Sequence, residues 1–150
     1  MNTLLKKLKF NQFETFPELF HAISPRCFKN DRDEIEDFCF LGNDDFGKTK
    51  DHLRVFLESV GITNSSLFFV NQVHGDKIFI LNDADLTFSE AMKNSADALL
   101  THIPGKPIGV FTADCLPILI YDPQLKVIGA IHAGRKGSEK GILCKVVREM

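Results

Sequence analysis

Between residues 67 and 131 the chain repeats one pattern, a short continuous apolar run followed by a turn signal. The runs cover residues 67–70, 77–81, 96–101, 108–112, 116–121 and 126–131, and the breaks include Pro104-Gly105 and Asp122-Pro123. Segments this short and this continuous read as strands covered on both faces, which requires helices packed against a sheet. Two helical segments supply that cover. Over residues 43–60, Phe46, Leu53, Phe56, Leu57 and Val60 recur at helical spacing; Asn43, Asp44 and Asp45 offer capping oxygens, and Gly61 supplies a stop. A second helix is expected to begin near Ser138 and reach Met150, with Ile142, Leu143, Val146 and Val147 on one face. The first 40 residues, Phe-rich and interrupted by Pro17 and Pro25, read as short strands and loops. The predicted class is α/β (α+β), a mixed β-sheet with helices packed on it.

A chain of 150 residues is expected to form a single domain over 1–150 and to bury enough surface to fold without disulfides. Most of its 14 Phe are expected in that core, since Phe brings apolar area with no polar handle. With 18 basic against 20 acidic residues the net charge is −2, so no field favours nucleic acid or an anionic membrane as partner. No apolar run approaches the ~20 residues of a membrane span. The first ten residues scatter Leu among Lys without the continuous apolar stretch of a signal peptide. The expected location is cytoplasmic, with reduced thiols. There Cys27, Cys39, Cys115 and Cys144 contain no C-x-x-C pair, and a special cysteine is metal-binding or catalytic rather than bridged. Oligomeric state is open at this level.

Three segments end an apolar run with a side chain able to bind metal or act as a base. They are Asn71-Gln72-Val73-His74-Gly75, Thr112-Ala113-Asp114-Cys115 and Ile131-His132-Ala133-Gly134-Arg135-Lys136-Gly137. Separations of 41 and 17 residues exclude one helix or loop holding His74, Cys115 and His132; only a sheet that gathers strand ends brings them together. Two imidazoles and one thiolate would leave the fourth position of a tetrahedral zinc open, as catalytic sites do. Such a centre keeps a net positive charge that attracts an anion or acidifies a water. Arg135 and Lys136 beside His132 add anion contacts. Each residue taken singly also has a plainer reading. His74 reads as a turn histidine, Cys115 as an inert core thiol and His132 as a structural residue. Asp114 reads as a turn cap, and Arg135 with Lys136 as a solvated corner. His21, His52 and His102 carry no functional assignment.

Four strings occur together and in order: Asn71-Gln72-Val73-His74-Gly75, Ala96-Asp97-Ala98-Leu99-Leu100-Thr101, Gly109-Val110-Phe111-Thr112-Ala113-Asp114-Cys115-Leu116-Pro117-Ile118 and Gly129-Ala130-Ile131-His132-Ala133-Gly134. Through them the chain resembles, closely over residues 66–148 and weakly before residue 60, the family long labelled multicopper polyphenol oxidases or laccase-domain proteins. That family is now described as broad-specificity purine nucleoside phosphorylases. The resemblance implies a mixed α/β sandwich, one Zn2+ per chain on His74, Cys115 and His132, and copper as the alternative metal. It implies cleavage of adenosine, inosine or methylthioadenosine with phosphate to free base and ribose 1-phosphate, and deamination of adenosine. On this reading Cys115 and His132 carry the chemistry with Asp114 as orienter or proton shuttle, while Arg26, Gln72 and Arg135 contact substrate or phosphate. The partners are then a small purine nucleoside and phosphate, with no nucleic acid and no membrane.

Departures accompany the resemblance. Arg135 stands where the family usually has an aromatic residue, which changes what can stack on a base. Pro25 precedes Arg26 in His21-Ala22-Ile23-Ser24-Pro25-Arg26, and a family Asn is missing from Phe38-Cys39-Phe40-Leu41-Gly42. Family members are longer, so the chain is expected to be an N-terminal portion lacking the C-terminal part of the family fold. Three other functions compete: a metal-free cysteine hydrolase with Cys115 as nucleophile and His132 or His74 as base, a copper-dependent polyphenol oxidase, and a non-catalytic truncated metal-binding module.

Overall fold

The apolar runs of the second half assemble into one mixed sheet. A computed structural model describes residues 8–25, 27–29, 35–37, 46–62 and 67–150. The chain divides into two compact units, Met1–Asn64 and Ser65–Met150.

In the first unit, Leu8 and Ile23 form an antiparallel bridge with N–H···O distances of 3.3 and 3.1 Å. A single 3-10 turn spans Asn11–Thr15. The ring of His21, buried between Phe10 and Phe13, accepts the Phe10 amide on Nε2 at 2.8 Å. Strands β1 (Cys27–Lys29) and β2 (Ile35–Asp37) pair antiparallel. Helix α1 (Phe46–Ser59) realises the expected helix, and its expected cap at Asn43, Asp44 and Asp45 lies outside the described residues. It stops where the sequence predicts. Gly61 adopts φ 77°, its amide donates to Glu58 O at 3.1 Å, and the Ile62 amide donates to Leu57 O at 2.8 Å. Those two bonds satisfy carbonyls that the helix end orphans. The expectation that most Phe lie in the core is not met among the described residues: Phe68 alone is buried, and Phe10 and Phe20 are 41% and 51% exposed. Short segments with few layers cannot cover every ring.

In the second unit, β3 (Ile78–Leu81), β4 (Ala98–Thr101), β5 (Leu116–Asp122) and β6 (Val127–Ala133) form a sheet of order β3-β4-β6-β5. β3 runs parallel to β4 through a crossover containing the short helix α2 (Phe88–Ala91); β4–β6 and β6–β5 are antiparallel. A capping box starts α2, with Glu90 accepting the Thr87 amide at 2.8 Å. That hydroxyl and amide hold the exposed Glu90 carboxyl below its usual range. Asp122-Pro123 makes the predicted hairpin turn: Asp122 Oδ1 accepts the Gln124 and Leu125 amides at 2.7 and 2.9 Å.

Alternation along β4 sorts the core onto two faces. Leu99 joins Phe68, Val70, Leu81, Ala91 and Ala96, while Ala98 and Leu100 join Ile131, Ala133, Ile142 and Val146. Every β4 residue is buried, as its uninterrupted apolar run demands.

Two runs expected as strands, 67–70 and 108–112, contribute only an isolated bridge, Phe68 to Ile108, with a second from Asn71, just past the first run, to Ser95. Pro107 has no N–H to extend a ladder, and the backbone of Phe111 is paired by a side chain, Gln72, through bonds of 2.7 and 2.8 Å. The expected final helix is two helices, α3 (Arg135–Glu139) and α4 (Ile142–Glu149). Gly141 at φ 72° breaks them, a conformation glycine adopts without steric cost. Ile142 and Val146 are buried, whereas Leu143 and Val147 face outward at 40% and 55% exposure. Among the described residues no helix is long and apolar enough to cross a membrane.

Candidate metal centre

Sheet register brings the three ligand candidates to one edge. His132 lies in β6, opposite Pro117 of β5, so Cys115, just before β5, arrives beside the end of β6. His74 precedes β3, whose parallel partner β4 is preceded by Asp97. The His132 amide donates to Asp97 O at 2.7 Å, extending the β4–β6 ladder by one residue. His74, Cys115 and His132 each offer a donor atom, and these atoms lie within 4.8 Å of one another. The two imidazole rings meet edge to face, with centroids 4.7 Å apart.

Burial grades the trio: His132 is buried, Cys115 is half-buried and His74 is exposed at the mouth. The donor set fits one metal ion. Bond lengths of 2.0–2.3 Å put donors of a tetrahedral zinc about 3.3–3.8 Å apart, inside the 4.8 Å within which the three atoms lie. Two neutral imidazoles and a thiolate suit zinc or copper better than calcium or magnesium, which take oxygen ligands.

Asp97 organises this arrangement and was not singled out by sequence reasoning. It is fully buried, and its carboxylate accepts the amides of Val73, His74 and Gly75 at 3.3, 2.9 and 2.7 Å. The same carboxylate lies 2.8 Å from His132 Nδ1. Gathering three consecutive amides on one carboxylate bends the turn so that His74 takes φ 58°, a left-handed conformation that costs a non-glycine residue roughly 1–2 kcal/mol. Strain of this kind persists where surrounding bonds over-determine it. The signal was present in the sequence as a lone carboxylate opening the apolar run 96–101; a charge buried there requires partners.

Close packing shapes the rest of the site. A Cβ on Gly134 would lie 3.2 Å from His74 Cδ2, 3.3 Å from Cys115 Sγ and 3.6 Å from His132 Cε1. Glycine there leaves room among all three ligands. A Cβ on Gly137 would meet the Gly75 carbonyl oxygen at 2.4 Å, so α3 packs directly on the His74 turn. Asp76 continues that turn toward α4, pairing with Lys145 and, at 3.5 Å, with Lys140. The Lys145 hydrogen bond holds the Asp76 carboxyl below the usual carboxylate range.

Arg135, Lys136 and Asp114 flank the donors in sequence. Arg135 and Lys136 begin α3 immediately after Gly134 and are exposed. Asp114 is exposed and adjacent in sequence to Cys115. Gln72 has both ends of its carboxamide engaged by the Phe111 backbone, bracing the His74 segment to the one that leads to Cys115. Arg26 and residues 38–42 lie outside the described residues. His102 is exposed, and Cys144 is an exposed free thiol.

Fold and site together define an α+β protein in which strand ends gather three donor atoms that could hold a metal ion. Residues 22–150 match the family described as multi-copper polyphenol oxidoreductase laccase, and the chain belongs to that family. It is 37% identical over 110 residues to a purine nucleoside phosphorylase of Clostridium acetobutylicum, covering 73% of this chain and 40% of the relative. A purine nucleoside phosphorylase of Mycobacterium bovis is 30% identical over 92 residues, 61% of this chain and 35% of the relative. An adenosine deaminase from an unknown prokaryotic organism is 31% identical over 116 residues, 75% of this chain and 44% of the relative. Among solved structures, YlmD from Geobacillus stearothermophilus superposes with a TM-score of 0.62 at 27% identity, covering 70% of this chain and 40% of that one. The chain thus spans less than half the length of each of these relatives.

Proposed function

We propose that this chain carries the metal centre of a purine nucleoside phosphorylase, with zinc held by His74, Cys115 and His132. The observation that carries this reading is the convergence of those three donors within 4.8 Å, in a family whose relatives bear that activity in their names. Bound there, zinc would supply Lewis acidity and a net positive open position for an anion.

The chain's own groups do the rest. Arg135 offers a planar fork matched to phosphate oxygens, and Lys136 adds a second cation at the rim. Phosphate oxygen forms a bond to ribose C1′ as the C1′–N bond to the purine breaks. The base leaves with that electron pair and takes up the proton that the attacking phosphate gives up, a relay we assign to Asp114. The products are free purine and ribose 1-phosphate. Adenosine, inosine and methylthioadenosine are the proposed substrates. Deamination of adenosine is a second reading, supported by the relative named for it.

The test is metal analysis of the purified chain beside Cys115→Ala, then incubation with adenosine with and without phosphate. About one zinc per chain, lost in the variant, with adenine released only when phosphate is present, is the expected result. Copper in place of zinc overturns the metal assignment. Ammonia release independent of phosphate selects the deaminase. Stoichiometric zinc without either product leaves a metal-binding module and overturns the phosphorylase assignment for this chain. Activity that survives chelation but not thiol alkylation selects the cysteine hydrolase.

A further inference from the structure

Asp97 is the one fully buried carboxylate among the described residues, and all four of its side-chain partners sit on segments that carry a metal ligand. Oδ1 takes the His74 amide at 2.9 Å and faces His132 Nδ1 at 2.8 Å; Oδ2 takes the Gly75 amide at 2.7 Å and the Val73 amide at 3.3 Å. A carboxylate that three amides already address acts as an acceptor. The ring nitrogen facing it must therefore be the donor, Nδ1–H, which leaves the Nε2 lone pair turned away and available. The Asp97 carbonyl also accepts the His132 amide at 2.7 Å, so one residue holds both the ring and the strand beneath it.

We propose that Asp97 is the positioning residue of the metal centre. It selects the His132 tautomer that ligates through Nε2, and it fixes the 73–75 turn that presents His74. The cradle is therefore formed before an ion enters. This rests on the metal reading above and adds to it the group that sets ligand geometry. Had the carboxylate served the fold alone, its partners would be spread through the core; they are confined to the two imidazole ligands and their flanks.

Asparagine at this position cannot reproduce the pattern. Its single oxygen can face His132 and the His74 amide, which leaves its NH2 against the Val73 and Gly75 donors. Flipped, the NH2 faces His132 Nδ1 and drives the proton onto Nε2, the atom that must ligate. Either orientation damages one ligand segment. Thr101 provides the control: it ends the strand that Asp97 precedes, and its hydroxyl makes an equally buried bond to Leu81 O at 2.8 Å, away from the cradle.

The experiment titrates Co2+ into the metal-free full chain and follows the absorption of tetrahedral thiolate-bound cobalt. Wild type is compared with Asp97→Asn and Thr101→Val. In parallel, 15N NMR of the imidazoles reads the His132 tautomer in metal-free wild type. The expected results are a 10–100-fold weaker Co2+ affinity in Asp97→Asn, wild-type affinity in Thr101→Val, and Nδ1–H at His132. Unchanged affinity in Asp97→Asn, or a proton on Nε2 in the metal-free wild type, overturns the role of Asp97. If Asp97→Asn does not fold, the wild-type tautomer decides. Failure of wild type to bind Co2+ at all overturns the metal reading itself, a different outcome from equal binding by the two proteins.

Discussion

Replacing Gly137 by alanine sets two well-defined effects against each other. Helix propensity favours alanine by about 1 kcal/mol at an interior position, and Gly137 lies inside α3. Against it, the new Cβ would stand 2.4 Å from the Gly75 carbonyl oxygen. Carbon–oxygen contacts relax at about 3.3 Å, so the two backbones must part by roughly 0.9 Å. The obstacle cannot swing away as a flexible side chain would, because the Gly75 amide is tied to Asp97 at 2.7 Å. Overpacking of this kind costs about 1–3 kcal/mol. The clash wins, and Gly137→Ala is expected to lose about 1–2 kcal/mol of stability in urea unfolding of the metal-free chain. Because His74 is the neighbour of the displaced residue, Co2+ affinity should fall about tenfold or more; ligand sets tolerate errors of about 0.5 Å. Gly141→Ala is the matched control. A Cβ there would meet no atom within 4 Å, but φ is 72°, so the change costs about 1 kcal/mol of backbone strain and leaves metal affinity alone. A Gly137→Ala chain as stable as wild type with unchanged affinity would refute the reasoning.

Two further outcomes follow from other contacts. Burial, then the nearby Lys9, lowers the pKa of His21 below 6.5, so the folded state binds fewer protons there than the unfolded chain. The stability this neutral ring contributes is complete above pH 6.5 and declines as pH falls from there through the lowered folded value. Amide exchange at Phe10 compared at about pH 7.5 and 5.5 should show weaker protection at the lower value; equal protection sinks the claim. Gln72→Ala removes both bonds to Phe111, and should cost about 1–2 kcal/mol and weaken Co2+ binding through the freed Cys115 segment. A Co2+ titration indistinguishable from wild type would leave Gln72 without a bracing role.

The legible parts of this protein were those fixed by near neighbours. The β5–β6 hairpin follows from two apolar runs flanking Asp122-Pro123, and the α1 stop from a glycine at the end of a periodic stripe. The donor types of His74, Cys115 and His132 raised a metal site beside plainer readings, and the chain order of their motifs announced the family. The break at Gly141 was harder, since an isolated glycine is tolerated inside many helices. Only packing separates Ile142 and Val146, which are buried, from Leu143 and Val147, which are not.

What the residues could not announce was pairing across the chain. Residues 67–70 and 108–112 look like strands because apolar content is local. Whether their backbone groups find a ladder depends on partners elsewhere, and Gln72 takes the place of a strand for Phe111. Asp97 is the sharper case. In sequence it is one carboxylate opening an apolar run; its partners lie 22 to 35 residues away. The sequence by itself determined the donor atoms, the strands and the turns, since those depend on side-chain chemistry and local conformation. The tertiary structure alone decided that one buried carboxylate would join two of the three ligand segments, because a buried charge is stable only where distant donors converge on it.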